Sequence, residues 1–285
     1  MKRWWLVLLV FCGGAHALQV TDDRGVEVTF AQTPLRIVSL LPSLTESVCG
    51  LQQCRRLVGV DRYSNHPASV AALPKVGGGL DPQIEAIVAL KPDLVLMSGR
   101  SRAADRLEAL GLKVVSLETK THADVRRVLH VLGALLEVPA AQGADRLWLE
   151  IDAALSKAAQ SVPVHARHAS VFFEVGLGQY GAGENSFIGE TLMRLGVKNV
   201  VPAKLGPFPK LSPEFIVRAN PDIVMSNKPG LLAMSTYPGW SNLKAVKEKR
   251  VCVFGSKDSD VLVRPGPRMA EAAQLMARCL ESKAP

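Results

Sequence analysis

The sequence predicts an α/β protein of two lobes joined by one long backbone helix, and three observations carry that prediction. From Leu35 onward, short apolar runs alternate with amphipathic stretches, the pattern of a parallel sheet covered by helices on both faces. Between Ala140 and Val162, the residues Leu147, Ile151, Ala154, Leu155 and Ala158 recur at helical spacing, no glycine follows Gly143, and Pro163 is the stop. The run Ile87-Val88-Ala89-Leu90-Lys91-Pro92-Asp93-Leu94-Val95 returns as Ile216-Val217-Arg218-Ala219-Asn220-Pro221-Asp222-Ile223-Val224, at an offset of 129 residues or about half the chain.

Taken in order, Lys2 and Arg3 precede the apolar run Trp4 to Phe11, and Ala15-His16-Ala17 supplies the small residues of a cleavage site. Residues 1–17 therefore read as a secretory signal peptide, with a mature chain starting near Leu18 in the periplasm. The run is much shorter than the ~20 apolar residues of a membrane-spanning helix. A lipoprotein anchor at Cys12 is the rival reading, disfavoured by bulky Phe11 before it.

Residues 18–138 form the expected N-terminal lobe: strand 36–41, helix 44–51, strand 57–60, helix 84–90, strand 94–97, helix 103–110, strand 114–117 and helix 123–136. The linker helix, within 139–162, would be about 33 Å long at 1.5 Å per residue. Residues 163–285 form the second lobe: strand 169–175, helices 187–195 and 213–219, strands 223–226 and 251–254, and helix 268–280. Both lobes are Rossmann-like, with mainly parallel sheets. The internal echo gives each the same helix-to-strand corner, and Asp81-Pro82 and Ser212-Pro213 each read as a capping residue with proline at the first helical position.

With 285 residues, 48% hydrophobic and 21% charged, the chain buries a large core, which excludes disorder. The net charge is +8, but the 34 basic residues are scattered and form no run of the kind that binds nucleic acid. Without Cys12, four cysteines remain in an oxidising compartment and allow three pairings; local pairing, Cys49 with Cys54 and Cys252 with Cys279, is the expectation. Metal ligation by these cysteines would need closely spaced Cys or His partners, which the sequence lacks.

Three motifs suggest other chemistry and fall short of it. Gly176-Leu177-Gly178-Gln179-Tyr180-Gly181 fits a dinucleotide-binding turn, but the acidic residue expected about 20 positions later is absent, since Lys198-Asn199-Val200-Val201 lies there. His165 and His168 are half a metal site without the other ligands. No Gly-x-Ser-x-Gly elbow supports a hydrolase. A secreted metal-dependent enzyme thus rests on histidines alone; no catalytic residue, metal ligand or cofactor is assigned.

The residues left over suit binding. Tyr63 with Asn65 and His66, Tyr180, Phe208, Asp260 and Arg264 fall on loops after strands, where α/β sheets hold ligands, and pair aromatic faces with polar tips. At the same offset of 129, Glu85 matches Glu214, one carboxylate in the first turns of each corresponding helix. The pair reads either as a docking feature for one two-lobed partner or as two acids favouring the positive ends of their helices.

Taken together, the signal peptide, Arg36-Ile37-Val38-Ser39-Leu40 leading to Pro42-Ser43-x-Thr45-Glu46, Val58-Gly59-Val60 with Tyr63-Ser64, Ile87 to Asp93, the long helix and Arg264-Pro265-Gly266-Pro267-Arg268 resemble the substrate-binding proteins of ABC importers. The likeness spans residues 35–283 and falls in the helical-backbone group (class III), which serves cobalamin, iron-siderophores and haem, nearest its cobalamin (vitamin B12) branch. It implies a monomer without enzymatic activity that holds a cobalt corrinoid, or alternatively an iron chelate or haem, between its lobes and delivers it to an inner-membrane permease dimer. It also implies cleft contacts at Tyr63, Tyr180, Phe208, Asp260 and Arg264, permease docking through Glu85 and Glu214, a Cys252–Cys279 disulfide, and a stiff frame with modest lobe movement. The chain departs from the cobalamin pattern where tryptophans would stand near Gly78 and Ser98, and Phe208 replaces a third.

Overall fold

Short β-branched and leucine-rich runs form the strands, buried on both faces as parallel strands require. The structure, a computed structural model, describes residues 17–99, 102–176 and 179–285. The expected signal peptide up to His16, the alternative anchor at Cys12, and Leu177-Gly178 of the glycine-rich loop lie outside the described residues.

The first lobe comprises β1 (Leu18–Thr21), β2 (Glu27–Phe30), β3 (Ile37–Ser39), α1 (Pro42–Gly50), β4 (Leu57–Val60), α2 (Ile84–Ala89), β5 (Leu94–Met97), α3 (Arg102–Ala109), β6 (Val114–Ser116) and α4 (His122–Leu135). Then α5 (Ala144–Ser161) crosses to the second lobe, built from β7 (Ser170–Phe173), α6 (Phe187–Arg194), β8 (Lys198–Asn199), α7 (Pro213–Ala219), β9 (Ile223–Asn227), α8 (Lys228–Met234), α9 (Lys244–Lys247), β10 (Val251–Phe254), α10 (Ser256–Leu262) and α11 (Met269–Lys283).

Each lobe holds one four-stranded parallel sheet, ordered β4-β3-β5-β6 and β10-β9-β7-β8. Counted from the first strand of each sheet, both have the order 2-1-3-4. The echo fixes the corner that makes them alike. Lys91 and Asn220, equivalent in the repeat, both adopt left-handed backbone, with φ of 46° and 42°, and so end α2 and α7. The following aspartates then tie down the first strand of each sheet. Asp93 accepts from the Leu35 and Arg36 amides, both at 2.9 Å, and Asp222 from the Ser170 amide and hydroxyl at 2.9 and 2.8 Å. Lys244 approaches Asp222 to 2.7 Å. Burial alone would raise the Asp222 pKa, but Lys244 and the Ser170 donors outweigh it and hold the carboxyl at about 2.

The expected helix starts are only half right. Ser212 caps α7, accepting from the Phe215 amide at 3.3 Å, with Pro213 at its first position. Asp81-Pro82 does not open α2, which begins at Ile84: Pro82 pairs with Gly77 in an isolated bridge, and the Asp81 carboxylate turns to Arg62 at 2.5 Å. The linker helix is also shorter than its periodicity predicts. Residues 139–143 form turns ending in Gly143, whose φ of −113° and ψ of −98° are not helical, so the helix has 18 residues and runs about 27 Å.

One apolar core passes through both lobes, taking in Leu44 and Val48 of α1 with Leu51 just after it, Leu147 and Ile151 of α5, and Met269 and Ala273 of α11. The approach is close at Gly50, where a Cβ would lie 2.9 Å from Leu147 and 3.1 Å from Pro267. Both expected disulfides are present: Cys49–Cys54 closes the turn after α1, and Cys252–Cys279 ties β10 to α11.

Candidate functional site

In a 2-1-3-4 sheet the crevice lies beyond the carboxyl ends of the strands, and the two lobes turn these ends toward one cleft of about 540 Å³. From the first lobe come Leu41, Pro42 and Ser43 after β3, Tyr63 after β4, Ser98 after β5, and Glu118, Thr119 and Lys120 after β6; from the second come Val175 after β7, Phe187, Phe208, and Asp260, Val263, Arg264 and Pro265 after β10. Phe187 and Phe208 meet at a ring separation of 5.9 Å. Tyr63, 61% exposed, offers its ring from the opposite lobe.

Four of the five expected ligand contacts, Tyr63, Phe208, Asp260 and Arg264, line this cleft together. Tyr180 does not. Its strand segment pairs with Lys210 in an isolated bridge and its carbonyl accepts from Val175, which holds it outside the lining. Asn65 reaches the site as a bracing residue, donating to Asp260 at 2.9 Å. His66 is exposed outside the lining, and His165 and His168 are exposed on a turn. Among the described residues, no group of three or more His, Cys, Asp or Glu is placed to hold a metal ion.

The cations of the cleft are engaged by the protein itself. Arg264, although part of the wall, points its guanidinium into a buried network: Glu46 at 3.1 Å, Asp260 at 2.9 Å, Asn65 at 2.7 Å and the Tyr63 carbonyl at 3.0 Å. Arg268 joins it through two bonds to Glu46, of 2.9 and 2.7 Å. Glu46 belongs to the first lobe and both arginines to the second, so this network straps the lobes together under the cleft. Lys120 forms a short ion pair with Glu118, whose hydrogen bond raises the Lys120 pKa against the opposing effect of burial. At the rear, the Phe187 amide donates to the Lys120 carbonyl at 2.6 Å, and His122 Nε2 lies 3.1 Å from the Phe187 carbonyl.

Glu118, Lys120 and Phe187 are site residues that the sequence reading passed over, and Glu46 and Arg268 stand in its motifs without a role. A signal existed for Glu46, a charge within the apolar stretch from Leu44 to Leu51; nothing local marks Lys120. Gly78 and Ser98, which stand where the resemblance would put aromatics, line a smaller hollow opening off the cleft.

Glu85 and Glu214 lie in the first turns of α2 and α7, both solvent-exposed. Glu85 meets Arg106 at 3.3 Å. The backbone amide of Glu214 and the Ser212 hydroxyl, with a contribution from Arg218, lower the Glu214 pKa.

Residues 37–257 match the model of a family described as periplasmic binding protein. The chain is 29% identical over 272 residues to an uncharacterised ABC transporter substrate-binding lipoprotein of Bacillus subtilis, covering 92% of this chain and 84% of that one. It is 29% identical over 252 residues to a vitamin B12-binding protein of Salmonella typhi, covering 86% and 90%. A solved periplasmic heme-binding protein from Pseudomonas aeruginosa superposes with a TM-score of 0.75 at 25% identity, over 88% of this chain and 94% of that one.

Proposed function

The chain belongs to the periplasmic binding protein family, and from that premise we propose that it is the periplasmic receptor of an ABC importer for a corrinoid, a cobalamin-like cobalt macrocycle. It binds the ligand between its lobes as a monomer, after removal of a signal peptide near Ala17, and presents it to an inner-membrane permease dimer that grips Glu85 and Glu214.

The observation that carries the ligand class is the commitment of the cleft cations. Among the described residues that line the cleft, Lys120 and Arg264 are the cations, and Glu118 holds the first while Glu46 and Asp260 hold the second. What the cleft offers freely is aromatic and aliphatic surface with a few hydroxyls. This suits a large amphipathic ring fringed with neutral groups better than a carboxylate-bearing haem or an anionic ferric siderophore, each of which needs an uncommitted cation.

One observation favours a second reading. Tyr63 stands exposed in the cleft, and a tyrosine oxygen is an axial ligand for haem iron. Isothermal titration of residues 18–285 with cyanocobalamin, haemin and a ferric siderophore decides between them. Tight one-to-one binding of cyanocobalamin alone is expected; heat from haemin or the siderophore, with none from cyanocobalamin, moves the ligand to iron compounds.

A further inference from the structure

Beside the main cleft lies a second hollow of about 350 Å³ that shares Leu41, Pro42, Tyr63 and Ser98 with it. We propose that this hollow is a subsite for the neutral carboxamide arms of the ligand, and that Asp81 is a specificity-determining residue that rejects carboxylate arms there. The inference rests on the corrinoid reading and goes beyond it by assigning how the fringe of the ring is recognised.

The hollow has an apolar floor, Leu40 to Pro42, and hydrogen-bonding walls. Gly79 packs against the buried Leu40 carbonyl: a Cβ there would sit 3.0 Å from that oxygen. The loop from Gly77 to Asp81 is drawn in tightly, with a φ of 93° at Gly77 and the Gly77–Pro82 bridge at its base. Asp81 thereby comes to the wall, one carboxylate oxygen bound to Arg62 and the other beside Gly78. Asp61, wholly buried, already accepts from the Tyr63 amide at 2.7 Å and from the Ser64 hydroxyl, one bond to each oxygen, so it is not a free contact.

Among the described residues, no lysine, arginine or histidine lines the hollow. Arg62 stands beside the hollow but is paired with Asp81, and Lys75, near Asp61, donates to the Ser64 and Val70 carbonyls. A primary amide carries two N–H donors and one carbonyl acceptor. The walls answer both, with Asp81 accepting and the Ser98 hydroxyl donating. A carboxylate brings acceptors only and would confront Asp81. Leu80, fully exposed at the mouth, gives the hydrocarbon part of an entering arm something to cover.

The test compares dicyanocobinamide, whose peripheral arms are amides, with dicyanocobyrinic acid, whose arms are carboxylates, by titration calorimetry against the full mature chain. The wild type should prefer the amide form by about tenfold or more, the scale of one mispaired buried hydrogen-bonding group. Asp81→Asn keeps an accepting carbonyl and should narrow the preference to about threefold or less. Arg62→Gln combined with Asp81→Asn should narrow it equally, which separates loss of the carboxylate from release of Arg62. Melting temperatures confirm that each variant is folded. Equal binding of both probes by the wild type, or an unchanged preference in Asp81→Asn, overturns the subsite while leaving the corrinoid reading in place. Binding of neither probe by the wild type removes both.

Discussion

Changing Glu46 to leucine should destabilise the whole protein, because its carboxylate joins the two lobes. The side chain is 2% exposed and accepts three bonds, one from Arg264 at 3.1 Å and two from Arg268 at 2.9 and 2.7 Å. Arg264 would retain Asp260, Asn65 and the Tyr63 carbonyl, whereas among the carboxylates only Glu46 is within bonding distance of Arg268. Removing one partner of a buried pair leaves an uncompensated charge and costs about 3–5 kcal/mol. For a chain of this size that is a fall in melting temperature of roughly 5–9 °C. Differential scanning calorimetry at pH 7 measures it. Because replacing both charges by apolar groups avoids the stranded ion, Glu46→Leu with Arg268→Leu should be more stable than Glu46→Leu alone. A single-variant loss under about 1 kcal/mol, the value of an exposed pair, would refute the claim that this network is buried and shared between lobes.

Three further outcomes follow from the same geometry. Asp222→Asn should cost about 2 kcal/mol at neutral pH, since the folded-state pKa of about 2 lies below the ordinary 3.8; the contribution is complete above about pH 4 and vanishes as pH falls through 2, so urea midpoints of wild type and variant should converge in acid. Reversing Glu85→Lys and Glu214→Lys together should leave cyanocobalamin affinity intact and abolish stimulation of the permease ATPase by the loaded protein; unchanged stimulation would count against docking through these residues. Small-angle scattering of free and cyanocobalamin-bound protein should nearly superimpose, because one core and the Glu46 network span the lobes, and a large contraction would contradict this.

Much of the frame was legible because it is written in local patterns. The strands Leu57–Val60, Leu94–Met97 and Val251–Phe254 and the helix Pro213–Ala219 fall where apolar runs and the Ser212-Pro213 start place them. The β1–β2 hairpin, α8, α9 and α10 escaped because each is short and settled by packing rather than by periodicity. The glycine-rich stretch at Gly77–Gly79 hid the true start of α2, since Asp81 has a capping residue's chemistry but spends it on Arg62. In the cleft, position on a post-strand loop found Tyr63, Phe208, Asp260 and Arg264, but the same rule placed Tyr180 there too; whether a loop residue turns inward depends on long-range pairing, here with Lys210, that no window of sequence contains.

Repetition and its loss divide the labour within the molecule. The 129-residue echo reproduces what both lobes must share: the strand order, the left-handed corner at Lys91 and Asn220, the aspartate tether and the carboxylates Glu85 and Glu214. A symmetric permease pair can engage such matched features on both lobes at once. The cleft walls, by contrast, carry no echo. Tyr63, Ser98, Glu118 and Lys120 face Phe187, Phe208, Asp260 and Arg264: each wall brings an aromatic, an acid and a cation, but from positions that the offset of 129 does not relate. A ligand without two-fold symmetry requires that difference. The Glu46–Arg264–Arg268 network, also unrepeated, holds the two unlike walls in register, so the shape of the cleft and the union of two similar lobes depend on the same buried charges.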